Sequence, residues 1–165
     1  MSLKVAIVED DSGLRESLHG LLNLSPDFKC VGAFPTVELA LKVLPLDWPD
    51  VALMDINLPK MSGIEGVAKL KAMQPSLQIL MLTAYADNEK IFDSLKAGAS
   101  GYLLKHTSPE EILAAIREVH KGGSPFSGAI VLTAFNDNAL ITYPATPGPG
   151  PGARPKIAVA AGAVT

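Results

Sequence analysis

Polar side chains that could bind a metal ion or a phosphoryl group stand directly after four apolar runs of the chain. They are Glu9, Asp10 and Asp11, then Asp55, Thr83 and Lys105. Short apolar runs closed by turn-forming residues are typical of strands that are buried on both faces of a parallel sheet. The carboxyl ends of such strands share one edge, where open α/β folds bind their ligands. We therefore expect these side chains to converge.

Such a convergence would suit the transfer of a phosphoryl group. Several carboxylates at one edge repel one another unless a cation lies among them. Mg²⁺ prefers hard oxygen ligands, usually takes one or two carboxylates and keeps several waters. Asp55 would then be an oxygen nucleophile towards phosphorus, Lys105 a mobile positive charge and Thr83 a hydroxyl donor. Each residue alone also fits a solvated surface position, but the ordered set is far more specific.

Five apolar segments alternate with five segments of helical spacing. The predicted strands cover 3–8, 28–34, 51–54, 78–82 and 101–104. The helix starts are predicted at Ser12, Thr36, Ser62, Asp87 and Ser108, because each residue can cap the helix that follows. Strict alternation predicts an α/β fold with a parallel sheet covered by helices on both faces.

Composition limits the class of protein. The chain has 165 residues and a net charge of −3, which argues against a direct electrostatic grip on nucleic acid. Cys30 is the one cysteine, so an intrachain disulfide is excluded and a reducing compartment is expected. No apolar run is long enough to span a membrane, and no secretory pattern opens the sequence. We expect a cytoplasmic protein without membrane association.

The character of the chain changes at Ser124. Residues 129–143 have the pattern of a β-hairpin, and residues 144–155 are dominated by proline and glycine. The predicted organisation is therefore one domain over residues 1–123, followed by a Pro/Gly/Ala-rich tail over 124–165. The tail contains no recognisable output domain, and a truncated or frame-shifted output region is one explanation for its composition.

Five stretches together resemble the receiver domain of bacterial two-component response regulators. They are VAIVEDD at 5–11, VALMDINLPKMSG at 51–63, ILMLTA at 79–84, AGASGYLLK at 97–105 and SPEEIL at 108–113. The resemblance covers about residues 3 to 123, and segment 97–123 is most similar to receivers that precede a helix-turn-helix domain. It implies a flavodoxin-like, doubly wound, five-stranded parallel sheet of order 2-1-3-4-5 with five helices.

The resemblance also implies roles for individual residues. Asp55 would be the phosphoacceptor, and Lys105 would pair with a phosphoryl oxygen. Mg²⁺ would be held by Asp10 and Asp55 directly, by Glu9 through a water and by Asn57 through its backbone carbonyl.

A switch is implied as well. Thr83 would turn its hydroxyl to the phosphoryl group and Tyr102 would follow it inward. This movement would remodel the face formed by the fourth helix, the fifth strand and the fifth helix. His106 departs from the family pattern, which often has proline directly after the lysine.

The expected function is a phosphorylation-controlled signalling switch. A sensor histidine kinase would donate the phosphoryl group, and the modified chain would act through a protein surface, for example as a homodimer. The chain would not be an enzyme beyond slow self-catalysed phosphorylation and dephosphorylation. One rival is a Mg²⁺-dependent phosphohydrolase with an aspartate nucleophile, which typically needs a second carboxylate at the position of Asn57. Another is a pseudo-receiver that serves only for dimerisation.

Overall fold

A computed structural model describes residues 2–84 and 88–122, together with the backbone of three later strands. In residues 2–122 the strands are β1 (Leu3–Val8), β2 (Phe28–Phe34), β3 (Val51–Asp55), β4 (Gln78–Thr83) and β5 (Gly101–Leu104). The helices are α1 (Ser12–Leu24), α2 (Val37–Val43), α3 (Gly63–Met73), α4 (Asn88–Ala97) and α5 (Pro109–His120). A 3₁₀ turn, Leu44–Leu46, follows α2 and contains the proline that ends it.

The five strands form one sheet in the order β2-β1-β3-β4-β5. All four neighbouring pairs are parallel, and β3 lies at the centre with Val8 opposite Met54 and Asp55 opposite Leu82. The predicted flavodoxin-like order is confirmed. Because β1 and β3 are adjacent and their connections run outward in opposite directions, the loops after them open at the point where ligands bind in such folds.

Both faces of the sheet are buried, as the apolar runs predicted. Alternate strand residues such as Ala6 and Met54 pack with α2, α3 and α4, whereas Val5 and Leu53 pack with α1 and α5. All five residues of β3 are buried, including Asp55 at its end. Two cores on opposite faces clamp the sheet, so the strand ends have little freedom to move.

The helix caps follow the sequence closely, with one correction. The side chains of Thr36, Ser62 and Ser108 accept hydrogen bonds from backbone N–H groups in the first turn, as predicted. The cap of α1 is Asp11 instead of Ser12, because the carboxylate accepts from the N–H of Leu14. The predicted cap Asp87 lies outside the described residues.

Beyond residue 122 the described backbone forms a second sheet. Its strands are β6 (Leu132–Asn136), β7 (Ala139–Tyr143) and β8 (Ala158–Val159), and neighbouring strands are antiparallel. The pairing of β6 with β7 agrees with the hairpin predicted from residues 129–143. Among the described residues, none of the helices has the length and hydropathy that a membrane span needs.

Candidate functional site

The carboxyl ends of four strands bring the predicted side chains to one edge of the sheet. Glu9 follows β1, Asp55 ends β3, Thr83 ends β4 and Lys105 follows β5. The backbone N–H of Lys105 donates to the carbonyl oxygen of Thr83 at 2.8 Å, which ties the last two ends together. Residues separated by almost a hundred positions therefore meet, as the parallel sheet requires.

Lys105 joins two of the acids directly. Its Nζ lies 2.8 Å from Oε1 of Glu9 and 3.2 Å from Oδ2 of Asp55. Glu9 and Asp55 are 0% and 2% exposed, so the ammonium is the cation that compensates these buried charges. His106 follows Lys105 here, and no peptide bond between described residues is cis. Lys105 reaches the site with histidine at the position where the family often has proline.

Three carboxylates form a cluster suited to a divalent cation. Ligand oxygens of Glu9, Asp10 and Asp55 lie within 4.8 Å of one another. Glu9 and Asp55 are buried, whereas Asp10 is exposed, so the cluster has a solvent-facing side. Asp11 caps α1 by accepting from the N–H of Leu14 and is not one of these three carboxylates. Hard oxygen ligands with one open side are the chemistry that Mg²⁺ prefers.

The acids of this cluster destabilise each other. Burial is the main cause that raises the pKa of Glu9 to about 7; the nearby Asp55 also raises it, while the hydrogen bonds from Lys105 and the Asp11 N–H lower it without cancelling the effect of burial. Burial alone would lower the pKa of Lys105, but its ion pairs with Glu9 and Asp55 outweigh burial and raise it. The three carboxylates thus exceed the one lysine in charge. An added divalent cation would relieve this excess.

The loop after β3 contacts the second carboxylate oxygen of Asp55. The backbone N–H of Asn57 donates to Oδ1 of Asp55 at 3.2 Å. Farther along, the N–H of Met61 donates to Oε1 of Glu38 on α2 at 3.1 Å, and Lys60 adopts the left-handed conformation with φ 61°. The loop is therefore anchored to a neighbouring helix before α3 begins.

Gly63, the first residue of α3, lies against the backbone of Asp55. A Cβ at this position would meet the carbonyl oxygen of Asp55 at 1.9 Å and the Cα of Ile56 at 3.0 Å. Its N–H donates to the carbonyl of Ile56 at 2.9 Å. Only glycine lets the helix start this close to Asp55.

The two residues expected to move in a switch are both buried. Thr83 is 3% exposed at the end of β4, and Tyr102 is 1% exposed within the core beneath α4. Burial raises the pKa of the Tyr102 phenol. Tyr102 already lies inward in this structure, and its movement together with Thr83 stays a prediction.

Two cations near the site were not singled out from the sequence. Nη1 of Arg15 on α1 donates to the carbonyl oxygens of Glu9 at 2.8 Å and Asp10 at 3.4 Å. Nζ of Lys90 on α4 donates to Oδ1 of Asn57 at 3.0 Å. Arg15 had a weak signal, because a cation near a helix N-terminus opposes the helix dipole and needs another reason. Lys90 had none.

Comparison with known proteins assigns the part of the chain that contains this site to a known family. Residues 5–117 match the family described as the response regulator receiver domain. The transcriptional regulatory protein LnrK of Bacillus subtilis (strain 168) is 36% identical over 135 residues, covering 82% of this chain and 61% of that protein. The DNA-binding transcriptional activator DevR/DosR of Mycobacterium tuberculosis is 37% identical over 122 residues, covering 74% of this chain and 56% of that protein. The chain thus spans less than two thirds of these relatives.

Solved structures give the same result. A response regulator receiver domain protein (CheY-like) from Methanospirillum hungatei JF-1 superposes with a TM-score of 0.69 at 30% identity, covering 74% of this chain and 96% of that one. A two-component response regulator of the LuxR family from Aurantimonas gives a TM-score of 0.70 at 26% identity, covering 74% and 87% of the two chains.

Proposed function

This chain belongs to the response regulator receiver domain family, and from that premise we propose that Asp55 accepts a phosphoryl group from a sensor histidine kinase. The observation that carries the proposal is the environment of Asp55. It is a buried carboxylate at the end of the central strand, 3.2 Å from the ammonium of Lys105 and within the acid cluster. A surface aspartate without a role in chemistry would not be buried among other acids.

The donor set fits Mg²⁺. Asp10 and Asp55 would bind the ion directly, Glu9 through a water and Asn57 through its backbone carbonyl. When bound, Mg²⁺ would neutralise charge on the phosphoryl oxygens. The three carboxylates outnumber the ammonium of Lys105, and Asp55 adds to the effect of burial in raising the pKa of Glu9, which supports this assignment.

The residues of the chain would then carry out the transfer. A carboxylate oxygen of Asp55 supplies the electron pair of the new O–P bond, and the bond from phosphorus to the donor's leaving atom breaks. Lys105 already lies beside Asp55 and needs only a small movement to pair with a phosphoryl oxygen. Thr83 supplies a hydroxyl from the end of β4.

The test is labelling of the full chain with acetyl phosphate, read by intact-mass spectrometry. We expect one phosphoryl group in the presence of Mg²⁺, none in excess EDTA and none in Asp55→Asn. Asp11→Asn is the matched control, because asparagine keeps the helix cap and removes a charge outside the cluster. The proposal would be contradicted if Asp55→Asn were labelled as strongly as the wild type, or if excess EDTA did not reduce labelling.

The same site explains why turnover should be slow. A phosphohydrolase of this type needs an acid or base beside the nucleophile. The position two residues after Asp55 is Asn57, whose neutral amide cannot exchange a proton. We therefore propose a phosphoacceptor with at most slow self-catalysed phosphorylation and dephosphorylation. Release of many molecules of phosphate from acetyl phosphate per protein chain would favour the phosphohydrolase.

Signal output is proposed to pass through the face formed by α4, β5 and α5. Tyr102 is a buried residue of β5, and Thr83 is buried at the end of β4 opposite Leu104 of β5, so a movement of either would alter this face. We expect beryllofluoride with Mg²⁺ to strengthen self-association about tenfold or more, equivalent to about 1.4 kcal/mol. Sedimentation of the full chain and of Thr83→Ala would measure it. Association that is independent of beryllofluoride would count against this readout and support the dimerisation module.

Domain organisation, partners and location belong to the proposal too. We propose that residues 1–123 form the receiver and residues 124–165 a separate tail. Limited proteolysis of the full chain should then cut first after residue 123. We further propose that this chain does not bind DNA directly, consistent with its net charge of −3. We also propose that the protein is cytoplasmic. Salt-sensitive DNA binding in a mobility-shift assay would contradict the first of these statements.

A further inference from the structure

We propose that Lys90 is a positioning residue that restrains the loop beside Asp55 and so lengthens the lifetime of the phosphorylated state. The inference rests on the proposed function, because it concerns the acyl phosphate at Asp55. It assigns a role to a side chain on α4 that does not itself touch the acceptor carboxylate. The effect would pass through Asn57.

Two hydrogen bonds in series carry the inference. Nζ of Lys90 donates to the side-chain Oδ1 of Asn57 at 3.0 Å, and the backbone N–H of Asn57 donates to Oδ1 of Asp55 at 3.2 Å. The same residue therefore contacts the acceptor with its backbone and α4 with its side chain. A change at Lys90 reaches Asp55 through a single intervening residue.

The position of this bridge relative to solvent suggests what it does. Asp55 is 2% exposed, whereas Asn57 and Lys90 are both exposed. Asn57 is thus part of the boundary between the buried acceptor and bulk water. The bridge from Lys90 joins the β3–α3 loop to α4 across this boundary.

Lys90 can hold the bridge because its own backbone is well anchored. The next two residues, Ile91 and Phe92, are buried in the core, and the hydroxyl of Ser94 donates to the carbonyl of Lys90 at 2.7 Å. The loop is the softer partner, since it carries a left-handed Lys60 and no regular structure before α3. The contact therefore restrains the loop more than it restrains the helix.

Hydrolysis of an aspartyl phosphate needs a water at the phosphorus atom. When the Asn57 amide is fixed at this boundary, fewer conformations of the loop admit such a water. The amide is neutral and cannot activate the water as a base. Loss of the Lys90 contact would free the loop and let water reach the site more often. The same opening would admit a small phosphodonor more easily.

The size of the effect follows from the exposure of the pair. A solvent-exposed contact of this kind is worth up to about 1 kcal/mol, which equals about fivefold in a rate. We therefore expect the phosphoryl group on Lys90→Ala to decay about fivefold faster than on the wild type. The melting temperature should stay close to that of the wild type, because the pair lies at the surface.

The experiment uses the full chain, labelled with acetyl phosphate and Mg²⁺ and then freed of donor, with decay followed by intact-mass spectrometry. Lys90→Arg should restore most of the lifetime, since arginine can also donate to the amide oxygen. The double variant Lys90→Ala, Asn57→Ala should decay no faster than Asn57→Ala alone, because the effect passes through Asn57. Lys96→Ala is the control: it removes another α4 lysine, which lies 5.6 Å from the ring centre of Phe92.

The outcomes separate the two levels of the proposal. If the wild type takes up no phosphoryl group, the proposed function fails and this inference falls with it. If the wild type is labelled but Lys90→Ala decays at the wild-type rate or more slowly, the role of Lys90 is wrong and Asp55 remains the acceptor. Decay that accelerates equally in Lys90→Ala and Lys96→Ala would also overturn the inference, because it would reflect the charge of α4 alone.

Discussion

Replacement of Gly63 by alanine should test how tightly α3 is packed against the end of β3. The added Cβ would lie 1.9 Å from the carbonyl oxygen of Asp55, 2.9 Å from its carbonyl carbon and 3.0 Å from the Cα of Ile56. All three atoms belong to the backbone, so no rotamer change can relieve the overlap. Since non-bonded heavy atoms prefer a separation of roughly 3.5 Å, the helix and the strand end must move apart by about 1.5 Å.

The expected cost can be estimated from these contacts. Overpacking a core typically costs about 1–3 kcal/mol, and an overlap between two backbones belongs at the upper end. Alanine offsets about 0.4–1 kcal/mol of this destabilisation, because it restricts the unfolded chain and is compatible with the helical backbone at Gly63. We expect Gly63→Ala to lower the free energy of unfolding by about 2 kcal/mol. A domain of ordinary stability would remain folded.

Urea unfolding in EDTA, followed by circular dichroism, measures this change. Gly20→Ala is the matched control: Gly20 lies inside α1, and nothing is within 4 Å of an added Cβ. This control should gain up to about 1 kcal/mol from helix propensity. Gly63→Ala should also label more slowly with acetyl phosphate, because the displaced carbonyl belongs to Asp55. A Gly63→Ala protein as stable as Gly20→Ala, and labelled at the wild-type rate, would refute the packing described for α3.

Three further predictions concern the acid cluster. Mg²⁺ should stabilise the folded state by about 2.7 kcal/mol at a hundredfold excess over its dissociation constant and so raise the melting temperature. Calorimetry should show a smaller rise of the melting temperature in Asp10→Asn, and in Asp11→Asn the same rise as in the wild type. The pKa of Glu9 is raised to about 7 in the folded state, so its contribution to stability is present below about pH 4.5 and is lost as the pH rises through 7. In EDTA, the stability of Glu9→Gln relative to the wild type should therefore increase from acidic to alkaline pH, and a difference that is constant with pH would contradict this. Arg15→Gln should lower the free energy of unfolding by about 1 kcal/mol and weaken Mg²⁺ binding in titration calorimetry, with partial recovery in Arg15→Lys, because two carbonyls lose a donor.

Much of the fold could be read from the sequence because the signals were local. The bounds of β2 and β5 agree with their apolar runs residue by residue, and the caps Thr36, Ser62 and Ser108 were correctly predicted. The cap of α1 was misplaced by one residue, because Asp11 and Ser12 have nearly equal capping preference. The order of the strands came from the family resemblance, since strand periodicity contains no information on neighbours.

The convergence of the site could also be predicted without coordinates. A parallel sheet places the carboxyl ends of all its strands at one edge, so Glu9, Asp55, Thr83 and Lys105 had to lie near one another. Topology alone determines this much. Which atoms touch is decided at a scale of ångströms, where side-chain direction and packing matter.

Tertiary structure decided the pairings within the site. Lys105 lies closer to Glu9 than to Asp55, at 2.8 Å against 3.2 Å, and the deep burial of Glu9 explains why its pKa is raised. Tyr102 is fully buried although a tyrosine on a short strand could as well be half-exposed.

The contacts of Arg15 and Lys90 depend on tertiary structure for a different reason. Both residues stand on the polar side of a helix, where a sequence pattern predicts only solvent. Their partners lie on loops that the sheet brings alongside, Glu9 and Asp10 for one and Asn57 for the other. The sequence by itself determined the elements and the edge at which the chemistry lies. The packing of helices against the sheet, between residues distant in sequence, decided which charged side chains contact the loops at that edge.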